Sequence, residues 1–173
     1  MSEQPKHQEE SGFFLPRWAV PYMWAVIVLV IQILLPWVIS TLGPRFGWSQ
    51  QKPALWNFIG MLPIIMGLIM YGWCLSFHFK TYSASVRLGV SPPRLVTNGP
   101  YQVSRNPMYA SGLFVWFGWL IFYGSPSVFI AFLLLYVIFS FRVIPLEEQQ
   151  LEEIFGKDYL DYKIVVRRWL GRF

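Results

Sequence analysis

The amino-acid sequence predicts an all-α integral membrane protein with about four transmembrane helices. Apolar residues make up 55% of the 173 residues, whereas charged residues make up 13%, against about 25% in soluble domains. No Lys, Arg, Asp or Glu occurs in residues 18–44, 53–79 or 106–141, and each window exceeds the roughly 20 residues that cross a hydrocarbon core. This composition excludes a soluble enzyme, a disordered chain and a disulfide scaffold.

The first two charge-free windows each predict one span. Residues 1–16 are polar and are predicted to form a disordered tail, whereas residues 17–173 are predicted to form one membrane domain. The first predicted span is residues 18–41, with Trp and Tyr side chains near its ends as interfacial anchors. A turn containing Gly and Pro, residues 41–51, leads to the second predicted span, residues 54–79.

The third charge-free window predicts a tight helical hairpin. Residues 106–141 are too many for one crossing, and Gly124 and Pro126 near the middle favour a turn. The predicted third and fourth spans are therefore residues 107–123 and 126–141.

Charged residues return after the fourth span, where residues 145–170 are predicted to form a helical tail. Glu147, Leu151 and Ile154 recur at helical spacing, which predicts an amphipathic helix with Glu147 on its apolar face. Gly156 favours a helix end at that point. Helical spacing then resumes in a second set of residues: Tyr159, Tyr162, Val166 and Trp169.

The distribution of basic residues predicts the orientation. Four spans place both termini, the tail and the loop of residues 80–105 on one side of the membrane. All of the 14 Lys and Arg residues lie on that side except Arg45 and Lys52, so this side is predicted to be cytosolic. The formal charge of +5 is attributed to topology and to contact with anionic membrane lipids, and no nucleic-acid partner is predicted.

A candidate anion site lies where the third span begins. Asn106 is a good N-cap residue and Pro107 favours the first helical position, so the positive end of the helix dipole lies beside Arg105. Oriented N–H groups and a guanidinium suit a carboxylate or a phosphate. The alternative is that Arg105 only contributes to topology and that its two neighbours only begin a helix.

Two adjacent acidic residues, Glu147 and Glu148, follow the fourth span. Adjacent carboxylates near a membrane repel each other, so a cation is expected to offset the cost. Candidates are Arg142, Arg105 or a bound ammonium or sulfonium group. The alternative is a solvated first helical turn.

The cysteine, the histidines and the small residues of the third span are predicted to have structural roles. Cys74 is the only cysteine, which excludes an internal disulfide, and with His7 and His78 as the only histidines no metal site is predicted. His78 is predicted to be a hydrogen-bonded interfacial residue. A face of small residues on the third span is predicted to contact another helix: Ser111, Val115 and Gly118.

Residues 95–170 resemble the family of isoprenylcysteine carboxyl methyltransferases and phospholipid methyltransferases. The resemblance lies in the order and spacing of three groups of residues and in their positions relative to the spans. They are Gly99, Pro100 and Tyr101; then Arg105, Asn106, Pro107, Met108, Tyr109 and Gly112; then Glu147, Glu148, Leu151, Phe155, Gly156, Tyr159, Tyr162 and Val166.

The resemblance implies a membrane enzyme that uses S-adenosylmethionine. The C-terminal helical region is then expected to cover a cytosol-facing cofactor pocket, and a lipophilic acceptor is expected to arrive from the bilayer. The cofactor carboxylate suits Arg105 and its ammonium and sulfonium suit the glutamates. The implied cofactor-binding residues are Gly99, Tyr101, Arg105, Asn106, Pro107, Tyr109, Gly112, Glu147 and Glu148.

The resemblance leaves the acceptor open: a prenylcysteine-type carboxylate, a phospholipid amine or a similar group. A carboxylate needs no base, whereas an amine or thiol must lose a proton, for which Tyr109, a glutamate or water are candidates. Arg167, Arg168 and Tyr162 are predicted to bind the substrate, and Tyr109 and Arg168 to act in catalysis. No obligatory protein partner is predicted.

The sequence departs from the family pattern at three positions. Asn106 stands where the family usually has His, and Arg167 and Gly171 stand where prolines are common.

Two other functions remain open alternatives. Sterol reductases, which use NADPH, resemble these methyltransferases in their C-terminal halves, but those chains are typically much longer. The second alternative is a non-enzymatic membrane protein, an assembly factor or small transporter with a degenerate pocket. The predicted spans contain no charged residue, which argues against ion or proton transport.

Overall fold

The computed structural model describes residues 19–81 and 94–172, which form a mostly helical protein. The predicted tail of residues 1–16 and the middle of the loop of residues 80–105 lie outside the described residues.

The first apolar helix is continuous but changes its winding in the middle. It consists of α1 (Ala19–Val28), a π-helical segment (Leu29–Leu34) and α2 (Leu35–Ser40). A short antiparallel hairpin of β1 (Trp48–Ser49) and β2 (Lys52–Pro53) follows.

The second and third apolar helices pack together more extensively than any other helix pair in the described part of the chain. A 3₁₀ turn (Leu55–Gly60) leads into α3 (Met61–Thr81), which packs along α4 (Pro107–Tyr123). A Cβ atom on Gly67 would lie 2.7 Å from the Ser111 carbonyl oxygen, so the small residues allow close backbone approach. The predicted small-residue contact face on the third span is confirmed.

The helical hairpin at Gly124 is confirmed, since this residue ends α4 with φ of +55°. The next helix is longer than predicted. It runs through α5 (Pro126–Ile138), a π-helical segment (Phe139–Val143) and α6 (Ile144–Phe155) without interruption. The fourth predicted span and the amphipathic helix are therefore one helix.

Among the described residues, two helical stretches are long and apolar enough to cross a membrane: Leu55–His78 and Pro126–Phe155. They have 24 and 30 residues and mean hydropathies of 2.0 and 2.4. The stretches Val26–Ser40 and Pro107–Tyr123 are apolar but shorter.

The C-terminal tail is helical only in its first part. Gly156, with φ of +52°, separates α6 from α7 (Lys157–Val165), which confirms the predicted helix end. The predicted helix through residue 170 is wrong, because Val166 pairs with Arg172 in an antiparallel bridge. Residues 166–172, the C-terminal turn, instead fold back toward the start of α4.

Candidate active site

One buried carboxylate between two guanidiniums forms the centre of the candidate site. Glu148 is 4% exposed, and its Oε1 lies 3.3 Å from Nη2 of Arg105. Its Oε2 lies 2.8 Å from Nη2 of Arg168. Because one negative charge faces two positive charges, the cluster carries an excess positive charge.

Three separate parts of the chain bring these charges together. Arg105 precedes α4, Glu148 lies in the first half of α6, and Arg168 lies in the C-terminal turn. Nη1 of Arg168 also lies 3.4 Å from the Ser140 carbonyl oxygen, in the second π-helical segment. A π turn displaces the regular helical hydrogen bonds, so a carbonyl there is well suited to an outside donor.

Backbone hydrogen bonds hold the C-terminal turn against the start of α4. The N–H of Arg105 donates to the Arg167 carbonyl at 3.0 Å, and the N–H of Gly171 donates to the Val103 carbonyl at 2.8 Å. The carbonyl of Arg168 accepts from Asn106 Nδ2 at 3.1 Å. These contacts fix the backbone that carries Arg168.

Asn106 occupies the N-cap position of α4 and Pro107 begins the helix, both as predicted. The Asn106 side chain makes no capping hydrogen bond to α4, and its Nδ2 donates to the Arg168 carbonyl of the C-terminal turn. Oγ of Ser104 instead accepts from the N–H of Asn106 at 3.0 Å.

The two departures from proline in the C-terminal turn have a direct structural reason. The N–H of Arg167 donates to the Gly171 carbonyl at 3.0 Å, and a proline has no N–H to donate. Gly171 has φ of +99°, which a proline ring does not allow. This closed turn therefore depends on both residues being other than proline.

Glu147 belongs to a second, separate group. It is exposed, and its Oε1 accepts a hydrogen bond of 2.6 Å from the Tyr109 hydroxyl. The Tyr109 ring packs against Phe139, with centroids 4.8 Å apart. Glu147 was expected to be the glutamate on the packed face; that expectation is wrong, because the structure buries Glu148 instead.

The guanidinium of Arg105 retains unused hydrogen-bonding capacity. Its side chain is 10% exposed, and its Nε and Nη1 atoms are buried with no hydrogen-bond partner among residues 19–81 and 94–172. Arg105 also lines an open cleft of about 630 Å³, together with residues of the C-terminal turn: Arg167, Arg168, Trp169 and Leu170. Buried donors beside a cleft suit an anionic ligand.

Tyr162 and Tyr101 support the site from within the protein. The buried Tyr162 donates its hydroxyl to the Tyr101 carbonyl at 2.7 Å. Burial raises the pKa of Tyr162, and nearby Arg105 opposes this only in part. The phenol therefore stays protonated at neutral pH and remains a donor. Its predicted contact with substrate stays a prediction.

The turn before the site is set by Gly99 and His78. Gly99 has φ of +61°, and a Cβ atom there would lie 2.5 Å from the Phe77 ring. The Tyr101 hydroxyl lies 3.3 Å from Nε2 of His78, whose Nδ1 lies 2.9 Å from the Cys74 carbonyl oxygen. The predicted hydrogen-bonded role of His78 is confirmed.

Gly112 faces the first apolar helix rather than the charged cluster. A Cβ atom on Gly112 would lie 2.9 Å from Nε2 of Gln32. Sequence reasoning missed Gln32, Ser104 and Ser140. Gln32 carries a usable signal, because it is the only Asn or Gln in the charge-free residues 18–44.

The phospholipid methyltransferase family model matches residues 55–158, well over half of the chain. The chain belongs to this family. The match includes Arg105, Tyr109 and both glutamates of the site, and it ends before the C-terminal turn.

Curated relatives agree with this assignment. The chain is 30% identical to protein-S-isoprenylcysteine O-methyltransferase B of Arabidopsis thaliana over 143 residues, 82% of this chain and 68% of that protein. It is 27% identical over 108 residues to probable protein-S-isoprenylcysteine O-methyltransferases of Oryza sativa subsp. indica and subsp. japonica, which is 61% of this chain and 56% of those proteins. The chain thus spans little more than half the length of the rice relatives.

Family membership puts the chain in the class of membrane methyltransferases that act on lipid-like substrates. The predicted resemblance is confirmed, and the family match favours an enzyme of this class over the reductase and non-enzymatic alternatives.

Proposed function

We propose that the chain transfers the methyl group of S-adenosylmethionine to a lipid-like acceptor at the cleft beside Arg105. The observation that carries the proposal is the buried guanidinium of Arg105, which keeps two nitrogen atoms without partners among the described residues. Each of these nitrogen atoms carries an N–H group that can donate a charge-assisted hydrogen bond to an anion, and the amino-acid part of the cofactor carries a carboxylate.

The charge pattern around the cleft also fits a zwitterionic cofactor. Glu148 is already neutralised by two guanidiniums, so its role is to hold Arg105 in place. Glu147 is exposed and remains available to an ammonium or sulfonium group. The cofactor supplies an electrophilic methyl group when bound. Gly99, Tyr101 and Pro107 lie in the backbone that leads through Arg105 into α4, whereas Gly112 faces the first apolar helix.

The contribution of the chain to the transfer is positioning and the exclusion of water. Arg167 and Arg168 line the cleft and suit an acidic acceptor head such as a prenylcysteine-type carboxylate, which needs no base. The hydrogen-bonded pair of Tyr109 and Glu147 suits a phospholipid amine instead, because Glu147 can accept its proton through or beside the phenol.

Binding and transfer assays test this function. Calorimetry of the purified protein is expected to detect S-adenosylhomocysteine, because the proposed contacts are to the amino-acid and adenosine parts rather than to the methyl group. Methyl-labelled cofactor added with N-acetyl-S-farnesylcysteine or phosphatidylethanolamine should then label one of these lipids. The proposal is contradicted if the folded protein does not bind S-adenosylhomocysteine, or if NADPH but not S-adenosylhomocysteine stabilises it in a thermal-shift assay.

We propose four spans with both termini and the cleft on the cytosolic side. This orientation is supported by the basic residues, of which only Arg45 and Lys52 fall on the other side. Cysteines introduced at the exposed Ser49 and Thr97 in a Cys74→Ala background are expected to react with an impermeant maleimide from opposite sides of sealed vesicles. Labelling of both positions from the same side contradicts four spans.

A further inference from the structure

The first apolar helix carries a polar side chain, Gln32, whose terminal oxygen is buried. The Oε1 atom of Gln32 is buried and has no hydrogen-bond partner among residues 19–81 and 94–172. Gln32 belongs to the π-helical segment Leu29–Leu34. Such turns are rare in proteins overall, but those that occur are often at functional sites. A buried carbonyl oxygen without a donor is unfavourable, so its retention calls for a ligand.

The surrounding residues fix the position of this amide. Nε1 of Trp119 donates to the Gln32 backbone carbonyl at 2.6 Å, which anchors the first helix against α4. The end of the side chain reaches Gly112, where a Cβ atom would lie 2.9 Å from Nε2. The glycine therefore leaves the room that the amide occupies.

The amide lies close to Tyr109, which is proposed to act on an amine acceptor together with Glu147. Gly112 follows Tyr109 by three residues on α4, which places both on one face and about 4.5 Å apart along the axis. Tyr109 in turn donates to Glu147. Gln32, which contacts α4 at Gly112, therefore meets this helix about 4.5 Å further along its axis than Tyr109.

Resting on the proposed function, we propose that Gln32 binds the polar head of the methyl acceptor and that its Oε1 accepts a hydrogen bond from an N–H group. The apolar chain of a lipid that enters from the bilayer can pack against the helix surfaces, but it cannot donate a hydrogen bond to the Gln32 oxygen. The donor must therefore come from the polar head. The N–H belongs either to the amide of a prenylcysteine or to the ammonium of an ethanolamine phospholipid. A site built around such a contact rejects lipids that lack the donor.

The test measures whether activity depends on a hydrogen bond from the acceptor N–H to Gln32. N-acetyl-S-farnesylcysteine is compared with its N-methylated analogue in wild type, Gln32→Leu and the volume-matched Gln32→Met. N-methylation is expected to lower kcat/KM about tenfold or more in wild type and by less than about twofold in either variant. A second arm measures kcat/KM for phosphatidylethanolamine in the same three proteins. If only this value falls in the variants, the N–H that Gln32 binds belongs to the phospholipid ammonium.

Controls separate this inference from the proposed function and from misfolding. Ser125→Ala removes another buried oxygen without a partner among the described residues, at the far end of α4, and is expected to leave the acceptor KM unchanged. Calorimetry with S-adenosylhomocysteine should give the wild-type Kd in both Gln32 variants. The role of Gln32 is overturned if N-methylation lowers kcat/KM equally in wild type and variants and if kcat/KM for phosphatidylethanolamine does not fall in the variants. Lack of cofactor binding in wild type overturns the proposed function instead.

If neither Gln32 variant folds, the wild-type measurements decide. The inference is then overturned if wild type has equal kcat/KM for the N-methylated analogue and the parent compound and does not methylate phosphatidylethanolamine.

Discussion

Glu148→Gln is expected to lower the free energy of unfolding by about 3 to 5 kcal/mol. The carboxylate is 4% exposed and is paired with Arg105 and Arg168. A neutral amide leaves two guanidiniums facing each other with no negative charge between them, and Arg105 is then a buried cation without a counter-ion. The C-terminal turn is expected to detach first, because Arg168 carries its side-chain link to α6.

The measurement is unfolding of the purified protein in detergent, with Glu152→Gln as the matched control. Glu152 pairs with Lys163 at the surface, where their side chains are 36% and 30% exposed, so its loss is expected to cost at most about 1 kcal/mol. The double variant Glu148→Gln, Arg168→Gln removes one of the opposed cations and is expected to recover part of the stability. Equal effects of the two single Glu variants contradict the structural role of Glu148.

Much of the fold is predictable because its determinants are local. The charge-free windows locate the four apolar helices found in residues 19–81 and 94–172. Pro107 begins α4, Gly124 ends it, and Gly156 separates α6 from α7. Each of these residues acts through its own backbone dihedral angles or its missing N–H group, which can be read without knowing any tertiary contact.

The choice between the two glutamates fails for a physical reason. Helical phase groups Glu147 with Leu151 and Ile154, and apolar residues were taken to mark the packed face. Ile154 is 49% exposed, whereas Glu148 is buried. In a membrane family the lipid is as apolar as a protein core, so hydrophobicity does not distinguish the packed face from the outer face.

The end of the chain fails for a different reason. Helical spacing continues through Trp169, but the backbone carbonyl of Arg167 and the N–H of Gly171 pair with Arg105 and Val103, more than sixty residues earlier. Such long-range pairing overrides local helical preference and is not visible in a local pattern. The same pairing positions Arg168, so the core of the site depends on contacts that sequence periodicity does not contain.

The second large effect concerns the ligand rather than the fold. Arg105→Lys is expected to weaken S-adenosylhomocysteine binding by about tenfold to over a hundredfold, the equivalent of one charge-assisted contact of about 1.5 to 3 kcal/mol. A lysine keeps the positive charge beside Glu148, so much of the ion pairing that holds the fold is retained. Its single ammonium cannot place separate N–H donors where Nε and Nη1 of Arg105 lie.

Calorimetric Kd and melting temperature together separate these two effects of Arg105→Lys. Arg142→Lys is the matched control, because Arg142 is exposed and its replacement is expected to change neither quantity. Wild-type affinity in Arg105→Lys assigns the unpaired nitrogens of Arg105 to something other than the cofactor carboxylate. A loss of affinity that parallels a large loss of melting temperature assigns Arg105 to the fold alone. Loss of affinity with a nearly unchanged melting temperature is the expected result, since only the ligand uses both of those nitrogens.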